Sequence, residues 1–494
     1  MIATGGAGSA STLPLNAART RAAAAGLLHR ITGTAQDYDG LVEEIGNASI
    51  VLIGEASHGT HEFYRERARL TSRLIDAGFD AVAIEGDWPD ALRADRYVRG
   101  NYAASAGIPA LSSDDSARAA LRGFRRFPSW MWRNTVVADW LEWLRARNAA
   151  ERFGERRAGF YGLDLYSLRT SMADVIAYLD HHDPTTADAA RHRYACFDSV
   201  GIADAENLGQ EYGYAVTRGH LDPCEDAVVA QLVDLQHRRA ALLAPDGPVA
   251  EDAYFAAARN AALVHNAEVY YREMYRGRAS SWNLRDTHMA DTLAALREHL
   301  STRVDRPRIV VWAHNSHVGD ARATALARPD RPGGEPQLNL GQLVRQRWPG
   351  ESFIVGLTTT RGTVTAAADW GGPILRRHVL PAGNGTFEQA FSSWGVPAFW
   401  TLTGAPLDGR TGNTAAPGQQ RPSLVVRPGD VLLERAIGVI YRPETEHVSH
   451  WFAADVHAQF DAVIHVDRTS ALEPLDRTVR WDRGEPPETY PTGL

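Results

Sequence analysis

The chain has 494 residues, of which 44% are hydrophobic and 23% are charged, and this composition excludes a fibrous or wholly disordered protein. Its formal net charge of −8 argues against general binding to nucleic acid or to an anionic membrane, so a small molecule or another protein is the expected partner. All 52 basic residues are arginine, which excludes chemistry that needs a lysine ammonium group, such as Schiff-base catalysis.

The N-terminal residues lack a basic segment followed by an apolar one, so we expect residues 1–28 to form a mobile tail rather than a signal peptide. No apolar run is long enough to span a membrane. The two cysteines, Cys196 and Cys224, are too few for a disulfide framework or a thiolate zinc cluster. Together these features predict a cytoplasmic protein without membrane contact.

Short apolar segments, each followed by a turn and a helical pattern, predict parallel strands joined by helical crossovers. The first segment, IVLIG, ends before Glu55, and the second, AVAIEG, contains Glu85. The spacing from 55 to 85 is typical of one β-α-β unit, so both carboxylates are expected at the same carboxyl edge of a sheet. Further strands are expected to end near Asp164, His314, Thr358 and Asp467.

The pattern over residues 168–300 is almost entirely helical. We therefore predict an α/β fold with a central, mainly parallel sheet flanked by helices and a helical insertion that caps the active-site cleft. The predicted catalytic core comprises residues 29–167 and 301–475, and residues 476–494 are expected to form a C-terminal tail.

The densest polar cluster, GEASHGTHEFYRER, follows the first predicted strand, where ligands usually bind in α/β sheets. His58 is the natural general base because imidazole exchanges a proton near neutral pH, and Glu55 is expected to orient it. Both residues could instead only cap the following helix. The second cluster, WAHNSHVGD, places His314 and His317 after another strand, where one could serve as a general acid or as an oxyanion donor. Alternatively, these side chains only form hydrogen bonds with the backbone of a turn.

Rival chemistries fit the same residues less well. The segment HEFYR has Arg65 where a zinc-protease HExxH motif needs its second histidine. In EASHG, Glu55 replaces the first glycine of a GxSxG elbow, so Ser57 is expected to be a turn or capping residue. The HxxH pairs at 58/61, 314/317 and 447/450 match no recognised ligand signature, so no metal is predicted.

Two aromatic segments, FPSWMWRN and SWNLRDTHM, suit either core packing or the wall of a pocket for a bulky apolar ligand. Arg285 and Asp286 could reach the cleft or form an ordinary ion pair. The residues predicted to contact substrate are Trp130, Trp132, Arg133, Arg285, Asp286 and His288.

At these motifs the sequence resembles the erythromycin esterase family, in particular its actinobacterial esterase-like branch. The matching segments run from about residue 35 to about residue 475 in the expected order and include GEASHGTHEFYRER, AIEGDWPDA, FPSWMWRN, SWNLRDTHMADTL and VVWAHNSHVGDARAT. The resemblance implies a large α/β fold with a helical part over a deep cleft. It also implies that water opens a macrolide lactone without a covalent acyl-enzyme.

The resemblance further implies roles for particular residues. His58, steered by Glu55, would draw a proton from water, and Glu85 would order the polar network. Arg67 and one histidine of the HNxH motif would stabilise the oxyanion and protonate the leaving alkoxide. That motif corresponds to His314 and His317.

The sequence thus predicts a cytoplasmic, metal-independent hydrolase without a cofactor, acting as a monomer or homodimer on an ester or lactone of a sizeable natural product. Motif identity supports hydrolysis more than it supports erythromycin as the substrate. Two alternatives stay open. One is an acyl-transfer or cyclising enzyme of secondary metabolism, and the other is a non-enzymatic haem- or metal-binding protein that uses the histidine-rich cleft.

Overall fold

The structure is a computed structural model that describes residues 28–100, 114–150, 157–200, 208–243, 248–329, 334–403 and 429–483. Apart from Leu28, the predicted N-terminal tail lies outside the described residues. Within the predicted C-terminal tail, Val479–Arg483 forms a helix whose Trp481 is buried and donates a hydrogen bond to Thr365 Oγ1 at 2.8 Å. This part of the predicted tail therefore packs against the rest of the protein.

The described residues contain eleven strands. In chain order they are β1 (His29–Arg30), β2 (Ile50–Ile53), β3 (Ala81–Asp87), β4 (Gly159–Asp164), β5 (Ile309–Trp312), β6 (Ser352–Ala366), β7 (Leu375–Val379), β8 (Ala398–Leu402), β9 (Leu432–Arg435), β10 (Trp451–Ala454) and β11 (Ala462–Thr469).

Nine of these described strands form one sheet, in the spatial order β1-β8-β11-β6-β2-β5-β3-β4, with β7 paired to β6. The six strands from β11 to β4 run parallel to one another. The remaining three, β1, β8 and β7, pair antiparallel. A separate hairpin-like pair joins β9 to β10. The predicted mainly parallel α/β sheet is confirmed.

The central strands are apolar on both faces because helices cover both sides of the sheet. All residues of β2 (IVLI) and β5 (IVVW) are buried. Along β2, Ile50 and Leu52 pack into one hydrophobic core, whereas Val51 and Ile53 pack into a second core on the opposite face. This burial on two sides explains why the strands read as continuous hydrophobic runs.

The connections leave the centre of the sheet in opposite directions. The chain passes from β2 across β5 to reach β3, but it passes from β5 across β2 to reach β6. Such a reversal opens a crevice outside the carboxyl ends of the strands, and ligands of open α/β sheets bind there.

The α-helices of the described residues are Asp39–Ile45, His61–Asp76, Trp88–Arg99, Ala117–Ala120, Thr135–Ala149, Leu168–His182, Pro184–Tyr194, Leu208–Thr217, Glu225–His237, Arg239–Leu243, Pro248–Glu273, Arg278–Ser301, Asn315–Val318, Leu340–Arg347, Phe387–Ser392, Glu446–Ser449, Val456–Gln459 and Val479–Arg483. The helix His61–Asp76 buries Phe63, Leu70 and Leu74 on one face, as its apolar spacing predicts. It ends before Gly78, whose φ of 97° suits a glycine.

Between β4 and β5, every element in the described residues is helical, from Leu168 to Ser301. The last of these helices, Arg278–Ser301, packs against β4 and extends to the carboxyl edge of the sheet. No helix among the described residues is both long and apolar enough to cross a bilayer.

A disulfide joins Cys196 to Cys224 in this helical part, with a Cα separation of 6.0 Å. Two cysteines are too few for a disulfide framework, but they form this single bond, which was not predicted from the sequence. The bond ties the turn after the helix Pro184–Tyr194 to the start of the helix Glu225–His237.

Candidate active site

Polar side chains that follow three neighbouring strands meet at one edge of the sheet. Because β2 and β3 both pair with β5, the residues that follow these strands lie close together. A cavity of about 870 Å³ opens at this edge, and its floor includes His58, Glu85, His314 and His317. Glu55 lies behind His58 and is 1% exposed. The structure thus brings together the residues that the two sequence clusters contributed.

Two glycines let the turn after β2 approach its neighbours. A Cβ atom on Gly54 would lie 2.0 Å from Asn315 Oδ1, and one on Gly59 would lie 1.8 Å from the Thr365 carbonyl oxygen. No side chain fits at either position, so the sequence GEASHG satisfies a packing requirement on both sides of His58.

Glu55 connects His58 to a buried arginine. Its Oε1 lies 3.0 Å from His58 Nδ1, and its Oε2 lies 3.0 Å from Arg67 Nη2. An ionised carboxylate only accepts hydrogen bonds, so this contact places the proton of a neutral His58 on Nδ1. The unprotonated Nε2 then lies on the side of Glu85, whose Oε1 is 3.9 Å away.

Arg67 does not reach the cavity. Its side chain is 0% exposed, and its guanidinium lies over the rings of Tyr64 at 4.3 Å and Trp312 at 5.3 Å. In this structure the two rings and Glu55 enclose the guanidinium, which lies behind His58 rather than at the cavity surface. Its position instead neutralises the buried Glu55 carboxylate.

An irregular step at the end of β3 positions Glu85. The register with β4 shifts between Ile84 and Asp87, and such a bulge redirects side chains. Trp132 Nε1 donates a hydrogen bond to the Glu85 carbonyl oxygen at 3.1 Å, and a Cβ atom on Gly86 would lie 2.7 Å from the same nitrogen. Trp132, predicted to contact substrate, therefore supports this step and also lines the cavity.

Glu85 lies at the centre of the cluster. Its Oε1 is 2.7 Å from Arg285 Nη2 and 3.4 Å from His317 Nε2, and its Oε2 accepts a hydrogen bond from the His314 backbone N–H at 2.8 Å. Burial alone would raise the pKa of Glu85, but the charges of His317, His58 and Arg285 hold that pKa well below its ordinary value. Glu85 is therefore an anion shared by several donors.

His317 is held between two carboxylates and an indole ring. Its Nδ1 lies 2.9 Å from both Asp286 oxygens, and its Nε2 lies 3.1 Å from Arg285 Nη1. The ring stacks on Trp282 with centroids 4.4 Å apart. Burial opposes the charged form, but Asp286 and Glu85 outweigh it and raise the pKa of His317 above its ordinary value.

His314 is in the opposite electrostatic state. Its Nδ1 accepts a hydrogen bond from the Ser316 backbone N–H at 3.2 Å, and its ring lies 4.9 Å from the His58 ring. Burial and the neighbouring His58 lower the pKa of His314 well below its ordinary value. The HNxH motif therefore supplies one neutral imidazole and one imidazole that favours its charged form.

Asp164, at the end of β4, is a site residue that the sequence analysis did not select. It pairs with Arg285 through two contacts, Oδ1 to Nε at 3.0 Å and Oδ2 to Nη2 at 2.7 Å. Burial would raise the pKa of Asp164, but Arg285 holds it below its ordinary value. The available signal was a polar residue at the end of a predicted strand, but the sequence did not reveal that β4 lies beside β3.

Several residues predicted to contact substrate do not line the cavity. Trp130 is buried against the Phe127 ring, with centroids 5.3 Å apart, and Arg133 pairs with Asp476 at 2.5 Å. His288 Nδ1 lies 2.8 Å from the Asn266 amide nitrogen, and burial lowers the pKa of His288 to about 3.

The same holds for Asp286, which is 0% exposed and acts on the cavity only through His317. Of the predicted contacts, Trp132 and Arg285 line the cavity. The aromatic part of the remaining wall comprises Phe124, Phe127, Tyr166, Trp282, Trp370, Trp451 and Phe452.

Within the described stretches, no group of three or more His, Cys, Asp or Glu side chains is arranged to hold a metal ion. At the cluster itself, the nitrogen atoms of His58 and His317 face carboxylate oxygens, as in hydrogen-bonded pairs. The chemistry that this arrangement supports is proton transfer beside a fixed guanidinium.

Comparison with known proteins agrees with this geometry. A family model described as erythromycin esterase matches residues 75–469. Three solved structures share the fold. The crystal structure of a succinoglycan biosynthesis protein is 19% identical, with a TM-score of 0.67 and coverage of 93% of this chain and 99% of that chain. A Bacillus cereus protein is 15% identical, with a TM-score of 0.70 and coverage of 94% and 100%.

The third structure is a mutant of the erythromycin esterase EreC in its open conformation. It is 16% identical to this chain, with a TM-score of 0.60 and coverage of 90% of this chain and 96% of that chain. At such identities the three structures establish the fold alone. The family match covers most of the chain, and by that match the chain belongs to the erythromycin esterase family.

Proposed function

We propose that this protein hydrolyses a bulky ester or a macrolide-type lactone with a water molecule that His58 activates. The observation that carries the proposal is the Glu55–His58 pair, with Oε1 and Nδ1 3.0 Å apart, at the floor of a large aromatic cavity. Membership in the family supports hydrolysis of an ester bond.

In the first step, His58 Nε2 takes a proton from a water molecule, and the water oxygen forms a bond to the ester carbonyl carbon. Glu55 keeps the other ring proton on Nδ1 and stabilises the imidazolium that results. Arg67 Nη2 pairs with the second oxygen of Glu55 at 3.0 Å. The carbonyl electron pair moves onto oxygen and produces an oxyanion.

Arg285 is the group best placed to stabilise that oxyanion. It lines the cavity, and its guanidinium is fixed by Asp164 and Glu85 before any substrate arrives. A preorganised cation in a water-poor site stabilises developing negative charge without reorganising. Arg285 thus takes the role that the family resemblance implied for Arg67.

Collapse of the tetrahedral intermediate breaks the bond to the leaving oxygen, and the His58 imidazolium donates its Nε2 proton to that alkoxide. The products are a carboxylic acid and an alcohol, or a hydroxy acid when the substrate is a lactone. His58 is neutral again after this step. Glu85 Oε1, 3.9 Å from His58 Nε2, places a negative charge beside the imidazolium while it holds the proton.

A serine nucleophile fits the geometry poorly. Ser57 is 1% exposed, and its hydroxyl forms a hydrogen bond with Thr60 Oγ1. Ser57 does not line the cavity, whereas His58 does. Direct attack by water therefore has better support than an acyl-serine intermediate.

The cavity supports a large substrate. Its volume of about 870 Å³ lies near the upper end of the usual range for ligand sites, and aromatic side chains line part of its wall. A macrocyclic lactone or a similarly bulky ester matches this space better than a short-chain ester.

The test is mass spectrometry of a panel of macrolides and aryl esters incubated with the wild-type protein and with His58→Asn. We expect a mass gain of one water on at least one bulky ester or lactone with the wild-type protein and none with the variant. Equal turnover by a folded His58→Asn variant would refute the mechanism. A product that instead carries an added amine or alcohol acceptor would assign the site to acyl transfer.

A further inference from the structure

A second cavity, of about 240 Å³, lies between three helices and apart from the cavity that holds His58. The helices are Trp88–Arg99, Leu168–His182 and Pro248–Glu273, and each lines the cavity with residues spaced by three or four positions, as one helix face does. Among the described residues, none lines both cavities. The apolar part of the wall comprises Leu92, Ala177, Ala253, Ala256 and Ala257. The short alanine side chains leave the space between the helices.

Asn260 directs an acceptor without a donor into this second cavity. Its side chain is 1% exposed, and its amide nitrogen donates a hydrogen bond to Asp174 Oδ2 at 3.5 Å. Because a carboxylate only accepts hydrogen bonds, this contact fixes the orientation of the amide group. Asn260 Oδ1 is buried and has no hydrogen-bond partner within the described part of the chain. A buried acceptor of this kind needs a donor, and a ligand in the cavity can supply it.

Arg96 and Tyr178 add two further groups of the same kind. Among the residues that the structure describes, the Arg96 guanidinium makes no hydrogen bond and no ion pair, and the buried Tyr178 hydroxyl makes no hydrogen bond. Burial lowers the pKa of Arg96 and raises the pKa of Asp174, so the surroundings do not fully compensate either charge. Most buried polar groups in proteins are hydrogen-bonded, so these side chains together point to a ligand.

The polar groups select the chemical class of that ligand. The Arg96 guanidinium and the Tyr178 hydroxyl can donate to a carboxylate, whereas Asp174 and Asn260 Oδ1 can accept from an ammonium group. A carboxylic acid alone would leave Asn260 Oδ1 without a donor, and an amine alone would leave Arg96 without an acceptor. The volume lies below the usual range of about 300–1,000 Å³ for larger ligands, so the ligand is small.

We propose that this second cavity binds a small aliphatic α-amino acid, with its carboxylate on Arg96 and its ammonium group between Asp174 and Asn260 Oδ1. The aliphatic side chain would lie against the alanines. Ala177 and His181, which also line the cavity, are exposed, so a ligand can enter from solvent. The proposal does not depend on the hydrolytic function, because the two cavities have no described residue in common.

The test is isothermal titration calorimetry of the wild-type protein with L-valine, L-leucine and L-isoleucine. We expect at least one of them to bind with a stoichiometry of about one per chain. The tightest binder is then compared with the amine that lacks its carboxylate and with the acid that lacks its ammonium group. Each analogue should bind at least about tenfold more weakly, because it loses charge-assisted hydrogen bonds.

Two results with the wild-type protein would overturn the proposal, and neither depends on a variant folding. One is the absence of binding by all three amino acids at about 10 mM. The other is binding of the amine or of the acid as tight as that of the amino acid, because the cavity would then not recognise both charges.

Variants place the binding in this cavity. Arg96→Gln removes the cation and should weaken binding at least about tenfold, and Ala256→Leu should abolish binding because the larger side chain fills the space. Arg93→Gln is the matched control on the same helix, where Arg93 pairs with Asp114, and it should bind the amino acid as the wild type does. Wild-type affinity in folded Arg96→Gln or Ala256→Leu protein would overturn the proposal.

Discussion

Arg285→Gln is the substitution that most directly separates the proposed mechanism from the family expectation, because the proposal gives oxyanion stabilisation to Arg285 and not to Arg67. Arg285 Nη2 lies 2.7 Å from both Glu85 Oε1 and Asp164 Oδ2. Removing one partner of a buried ion pair costs about 3–5 kcal/mol of stability, and here two carboxylates lose the same cation. Removing a preorganised oxyanion donor also costs a factor of about 10²–10³ in kcat, or about 3–4 kcal/mol in the barrier.

The assay combines steady-state kinetics with thermal unfolding. Arg285→Gln should lower kcat by that factor with little change in KM, and it should lower Tm. Arg285→Lys keeps the positive charge but lacks the planar guanidinium that donates parallel hydrogen bonds. Its kcat should lie between those of the wild type and Arg285→Gln. Arg297→Gln, which removes an arginine from the far end of the same helix, is the control and should leave kcat unchanged. A folded Arg285→Gln variant with kcat within about threefold of the wild type would refute the assignment.

Three further predictions follow from the geometry. Ser57→Ala should keep at least about half of the wild-type kcat, because the hydroxyl bonds to Thr60 and not to the reacting atoms. A loss of about 10⁴-fold or more would instead indicate a serine nucleophile. The pKa of Glu85 is lower in the folded protein than its ordinary 4.5, so Glu85 adds stability above that pH, and the stability is lost as the pH falls toward the folded value. The free energy of unfolding, measured with urea between about pH 5 and about pH 3, should therefore depend less steeply on pH for Glu85→Gln than for the wild type. Equal slopes for the two proteins would contradict the charge assignment. Reducing the Cys196–Cys224 bond, which closes a loop over 28 residues, should lower the free energy of unfolding by about 3.6 kcal/mol without changing kcat. An unchanged Tm would refute this.

The sequence was sufficient for the sheet and for the cluster around His58. The runs IVLIG and AVAIEG are short, contain β-branched residues and are followed by turns. Such a run predicts a parallel strand because both faces of the strand are buried, and both runs do form fully buried strands. The spacing from Glu55 to Glu85 predicted one edge for both carboxylates, and Glu85 does lie opposite His58.

The sequence did not predict the contacts that depend on the order of the strands or on how the helices pack. Asp164 became a site residue because β4 pairs with β3, and no local pattern reveals strand order. Arg67 follows the expected motif, but its helix directs it behind Glu55, where two aromatic rings enclose it. His288 sits three residues after Arg285 on the same helix, yet it bonds to Asn266. Which side of that long helix faces the cavity depends on packing against β4 rather than on its own weakly amphipathic sequence.

The central claim is that water, activated by His58, attacks the substrate carbonyl directly. The most direct test is a single turnover in water enriched in oxygen-18, with protein in excess over a cleaved ester or lactone, followed by mass spectrometry of both product and protein. The account predicts one heavy oxygen in the carboxyl group of the product after the first turnover and none in the protein. An unlabelled first-turnover product, with the heavy oxygen in a carboxylate side chain of the protein, or a protein that carries a covalently bound acyl group, would contradict it.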